Sequence, residues 1–95
     1  MTIKNYQPML KELYTELLKL ETEEETEHFL EDLCTIKELE SMCQRLKAAK
    51  MLLNGKTYNE IVEETEISSA TLARVSKCVQ YGNGGYKNVI TKEKK

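Results

Sequence analysis

The stretch Thr57–Val79, reading TYNEIVEETEISSATLARVSKCV, constrains this chain more than any other part of it. Thr57 and Glu60 stand in a T-x-x-E capping-box pattern, in which each side chain satisfies a free backbone N–H of the other residue. Ile61 and Val62 follow as an apolar step. Thr65-Glu66-Ile67 interrupts the helical period, Ser68 offers a second N-cap, and Leu72, Val75 and Val79 recur along one helical face. The pattern predicts two short capped helices around a tight turn, the second over Ser69–Gln80. With Tyr58 counted as the first position, Ile61, Ile67, Leu72 and Val75 fall at the fourth, tenth, fifteenth and eighteenth, where two crossing helices need apolar contact. Two positions depart from the usual hairpin of this kind. The turn, where the backbone favours positive φ, holds Glu66 in place of glycine. The fifth position, commonly a small residue, holds Val62. Such a helix-turn-helix can lay its second helix in the DNA major groove; an ordinary helical hairpin in a bundle core has the same periodicity.

Ninety-five residues make a single domain with a modest core, so association between copies is a natural source of stability. One Pro, four Gly and no Trp, with abundant Leu, Glu and Lys, predict an all-α fold. No apolar run approaches the length of a membrane span, and the start MTIKNYQPML lacks the basic-then-apolar layout of a signal peptide. A cytoplasmic protein without a membrane partner is expected. Cys34, Cys43 and Cys78 form no C-x-x-C pair, and His28 is the single histidine. Free thiols, with neither a disulfide framework nor a metal site, follow from that. The sequence holds no phosphate-binding glycine loop, no evident pair of catalytic carboxylates and no Ser–His or Cys–His motif. Catalytic residues, and hence an enzyme, are not expected.

A net charge of −2 is modest, but its distribution is polar. Residues 1–33 hold three Lys and nine acids, a net −6; residues 34–66 hold five basic and six acidic residues, a net −1; residues 67–95 hold six basic and one acidic, a net +5. The positive end lies on and after the second helix of the hairpin, which suits contact with phosphates at one face.

Along the rest of the chain, Tyr6–Leu20 reads as a helix with a wide apolar stripe of Leu10, Leu13, Tyr14, Leu17, Leu18 and Leu20, and with Pro8 in its first turn. Thr26 offers a cap for a short helix through Leu33, with Phe29, Leu30 and Leu33 inward. Cys34–Asn54 reads as the longest helix, capped by Thr35 and Glu38, with Ile36, Leu39, Met42, Cys43, Leu46, Ala49 and Leu53 on its buried face and Asn54-Gly55 as its stop. The glycines after Tyr81 stop the last helix and release a tail. The predicted organisation is therefore one domain, 1–95, made of N-terminal dimerisation helices (1–33), a long central helix (34–55), the hairpin (57–80) and a flexible basic tail (81–95).

These elements resemble the tryptophan repressor family over about half of the chain, Leu33 to Val79. The resemblance is carried by L-x-T-x-x-E at Leu33–Glu38, by Arg45, by the Leu52-Leu53-x-Gly55 helix end and by A-T-x-x-R-x-S at Ala70–Ser76. Within the family it points to the small repressor-related proteins of the YerC/YecD type. It implies an intertwined all-helical homodimer with a helix-turn-helix head on each side, the N-terminal helices interlocking with a second copy. It also implies an effector site. Thr35, Arg45, Thr71 and Arg74 match the positions that surround tryptophan in the repressor. Val75 and Cys78 stand where the repressor has a glycine and a serine. Valine adds bulk where the ligand would pack, and a thiol is a weaker hydrogen-bond partner than a hydroxyl. Both changes count against L-tryptophan, so the co-repressor, if one exists, is left unidentified.

The expected function is that of a homodimeric, sequence-specific regulator of transcription, a repressor, bound to double-stranded DNA. Ser68, Ser69, Ala70, Thr71 and Ala73 are the candidates to face bases. Thr57, Asn59, Arg74 and Lys77 are the candidates for phosphate contact, which positions the head without reading sequence. The alternatives are a dimeric interaction module, or a small-molecule sensor, that keeps the fold and has little DNA affinity.

Overall fold

The computed structural model describes residues 3–93. They form six helices: α1 Tyr6–Leu17, α2 Glu23–Leu33, α3 Ile36–Leu53, α4 Tyr58–Thr65, α5 Ser69–Tyr81 and α6 Gly85–Ile90. The chain divides between Thr35 and Ile36 into an N-terminal unit with α1 and α2 and a C-terminal unit with α3 to α6.

In the N-terminal unit, α1 is shorter than the predicted Tyr6–Leu20. The backbone tightens at its end, where Lys19 N–H donates to Glu16 O at 3.1 Å and Leu20 N–H to Leu17 O at 3.2 Å. Leu18 is left 85% exposed. The cap of the next helix is Thr22, not Thr26. Thr22 Oγ1 accepts from Glu25 N–H at 3.0 Å, and the Glu25 carboxylate accepts from Thr22 N–H at 3.3 Å. Glu25, three residues on, completes the reciprocal pair; the residue three after Thr26 is Phe29, which cannot. Thr26 sits inside α2 and donates its hydroxyl to Thr22 O. Neither α1 nor α2 buries any of the residues described.

In the C-terminal unit, α3 begins after Thr35, while Cys34 closes α2. Its burial differs from the predicted face. Ala48 and Ala49 are fully buried, with Met51 and Leu52 packed beside them. Ile36 is 78% exposed, Met42, Cys43 and Leu46 are also exposed, and Leu39 is half-buried. Full burial on α3 is thus confined to its C-terminal half, where the other helices of the unit pack. The core there consists of Ala48, Ala49, Ile61, Ile67, Leu72 and Val75. Four of these are the residues whose offsets defined the predicted hairpin.

The turn carries strain. Glu66 adopts φ 60°, ψ 20°, the left-handed region that glycine enters without steric cost. Glu66→Gly should therefore stabilise the fold, by up to about 1 kcal/mol once the extra flexibility of glycine in the unfolded chain is set against the relief. A urea titration checks this: the midpoint should rise at constant slope. A fall would show that the Glu66 side chain contributes more than its backbone costs.

The segment predicted as a flexible tail, 81–95, instead includes α6. Tyr86 and Ile90, one helical turn apart, pack against the core and give this short helix an apolar side. Gly82 allows the reversal between α5 and α6, since a Cβ there would lie 2.4 Å from the Cys78 carbonyl oxygen. Lys94 and Lys95, the end of that segment, lie outside the described residues.

Candidate nucleic-acid interface

The head is built from α4, the turn and α5. Thr57 Oγ1 accepts from Glu60 N–H at 3.2 Å and so starts α4. At its other end the Thr65 hydroxyl donates to Ile61 O at 2.7 Å and accepts from Ile67 N–H at 3.2 Å, which ties the turn to the helix before it. The side chains of α3 hold the same end. Gln44 Nε2 donates to Thr65 O at 3.0 Å, and Lys47 Nζ lies 3.5 Å from Glu64 Oε2. The Gln44 contact was not anticipated from the sequence, where a glutamine on a mid-helix face carries no signal of its own.

Ser68 starts α5. Its Oγ accepts from Thr71 N–H at 3.2 Å and donates to Thr71 Oγ1 at 2.8 Å. The front of α5 is fixed by this cap, and it carries short side chains. Ser68, Ser69, Ala70 and Ala73 are exposed, and Thr71 is half-buried with its own hydroxyl proton still available. Arg74 and Lys77 are exposed farther along. No acid occurs between Ser69 and Tyr81. Thr57 and Asn59 are exposed at the start of α4. Every predicted DNA-facing residue is therefore on the surface of the head, Thr71 in part. The neighbouring α4 and turn carry Glu60, Glu63, Glu64 and Glu66, of which Glu64 is offset by Lys47.

The predicted effector residues are more scattered. Thr71, Arg74 and Cys78 share one open surface of α5 with Ala70, Ala73 and Lys77. Arg45 is half-buried on α3, its Nε donating to Ser41 O at 3.4 Å. Val75 is in the core, 2% exposed, on the same face as Leu72. Thr35 belongs to the N-terminal unit. Cys78 also borders a second hollow of about 460 Å³ lined by Leu46, Tyr86, Val89 and Ile90, which is mostly apolar. Among the described residues no cluster of His, Cys, Asp or Glu could hold a metal ion, and no helix is long and apolar enough to cross a membrane.

Residues 8–94 match the family described as Trp repressor protein. The chain belongs to the Trp repressor family. It is 44% identical over 85 residues to the uncharacterized protein YerC of Bacillus subtilis (strain 168), covering 90% of this chain and 82% of that one. Its fold matches the crystal structure of a candidate Trp repressor from Staphylococcus aureus with a TM-score of 0.84 at 42% identity, over 87% of this chain and 83% of the other. A TrpR-like protein from Eubacterium eligens ATCC 27750 matches with a TM-score of 0.85 at 39% identity, over 93% and 95%. The family places the chain among regulatory proteins with a DNA-binding fold, and its all-helical architecture agrees with the repressor-like expectation. The family match extends well beyond the Leu33–Val79 stretch that carried the resemblance in the sequence.

Proposed function

We propose that the protein is a homodimeric, sequence-specific DNA-binding regulator of transcription, acting as a repressor in the cytoplasm. The observation that carries this reading is the outer face of α5: capped by Ser68, short-chained at its front, basic behind, and free of acids. Short side chains let a helix approach base edges closely, and Arg74 and Lys77 supply charge for phosphates. Dimerisation is supported by exposed apolar surface. Met9, Tyr14, Leu18, Leu33 and Ile36 are each 50% exposed or more, which a second copy would cover.

Two substitutions separate base reading from phosphate contact. Thr71→Ala should change sequence preference, at a cost of about 1–3 kcal/mol on the preferred site. Lys77→Ala should weaken all sequences alike and reduce the slope of log affinity against log salt by roughly one unit. Binding to a site selected from genomic fragments, and to its scrambled version, over a salt series reads both effects. If both variants bind both DNAs like the parent, α5 is not the reader. The acids on α4 and at the turn would then favour an interaction module that uses the same fold without DNA.

Any effector is a separate matter. With Val75 committed to the core and Cys78 in place of a hydroxyl, L-tryptophan is a poor candidate, and the reading proposed here needs no cofactor.

A further inference from the structure

The outer stripe of α5 does not stop at Lys77. Ala70, Arg74, Lys77 and Tyr81 recur at intervals of four, three and four residues, which places them in one line along the helix. The line runs opposite the buried Leu72 and Val75. Tyr81 ends it, and it is 79% exposed. Gly82 turns the chain away directly afterwards, in a conformation too tight at Cys78 O to admit a Cβ.

We infer that Tyr81 is a DNA contact, its hydroxyl donating to a backbone phosphate at the far edge of the groove entered by the front of α5. This rests on the DNA-binding reading above. Ala70 and Tyr81 are separated by about 16 Å along the helix axis. The major groove is about 12 Å wide. For an α5 that runs across the groove with Ala70 among base edges, the other end of the line lies beyond the groove, at the level of the backbone. Arg74 and Lys77, in an element without acids, make the line complementary to a polyanion. A phenol has the reach and the donor for a phosphate oxygen, and being neutral it displaces no counterion of its own.

The test uses the full chain and its Tyr81→Phe and Lys77→Ala variants, titrated onto the selected duplex and a scrambled one over a salt series. Sedimentation is run in parallel. Tyr81→Phe removes only the hydroxyl of an exposed residue, which makes no hydrogen bond among the described residues. It should weaken both duplexes by roughly tenfold with the salt slope unchanged, whereas Lys77→Ala should lower the slope. Parent-like binding of both duplexes by Tyr81→Phe overturns the inference while leaving the DNA-binding reading intact. A loss confined to the selected duplex overturns it too, because Tyr81 would then read bases. A change in oligomeric state would make Tyr81 a contact between copies and equally overturn it. A parent that binds neither duplex overturns both this inference and the reading beneath it.

Discussion

Leu72→Ala should lower the stability of the protein by about 2–5 kcal/mol, a large part of the roughly 5–15 kcal/mol that holds a small domain together. Leu72 is completely buried in a cluster whose other members include Ala48, Ala49, Ile61 and Val75. The alanines have no side-chain length with which to refill the space, and the β-branched neighbours have little rotameric freedom. The cavity would therefore persist, and its cost adds to the lost transfer energy of the leucine. Urea denaturation reads this as a fall in midpoint at constant slope, and DNA binding should fall at temperatures where the head is partly unfolded. A loss below about 1 kcal/mol would mean that the core collapses around the gap and is far looser than its burial indicates.

Leu17→Asp should be as damaging, for a different reason. In α1 the residues Leu10, Leu13 and Leu17 are half-buried, Met9 and Tyr14 are 51% and 54% exposed, and nothing on the helix is buried. A stripe of that composition left open to water is costly, at roughly 25 cal/mol per Å² of apolar area. In the proposed dimer the second copy removes that exposure, and a carboxylate at position 17 would be carried into the interface without a partner, at a cost of several kcal/mol. Sedimentation at micromolar concentration should show a dimer for the parent and a monomer of reduced helicity for the variant. Glu16→Gln, on the exposed side of the same helix where Glu16 pairs with Lys19, serves as a control and should change neither. A parent that is monomeric and fully folded at that concentration would refute the intertwined dimer.

The hairpin was legible in the sequence because it is encoded locally. Thr57 and Ser68 cap their helices by bonds to residues three positions away, and Ile61, Ile67, Leu72 and Val75 meet within one short segment. The predicted face of α3 is only partly covered within the single chain, because periodicity says which residues are apolar and not what covers them. Ile36 and Met42 keep the helical spacing yet stay exposed in the single chain, and Leu46 is only partly covered, beside the hollow that α6 borders. The start of α2 was misplaced by two plausible caps, Thr22 and Thr26, of which only one has a glutamate three residues on. α6 was missed because its apolar signal is two residues long, Tyr86 and Ile90, set among glycines and lysines. For the candidate site, the cap, the short side chains and the cations of α5 could all be read in advance. The end of its outer line at Tyr81 could also have been found, by continuing the same helical phase one turn past Lys77. The Gln44 bond to the Thr65 carbonyl could not, since it joins residues 21 apart.

The pair of alanines at the centre of the core has a mechanical meaning. Side chains as short as those of Ala48 and Ala49 put little bulk between the backbone of α3 and the helices packed on it. Close packing of this kind leaves little slack, and the Gln44 bond to the Thr65 carbonyl ties the end of α4 to the same rod. The head and the C-terminal half of α3 are therefore expected to move together. In the proposed dimer, a signal that tuned DNA binding would then act by swinging these units as wholes, changing the span between the two α5 helices.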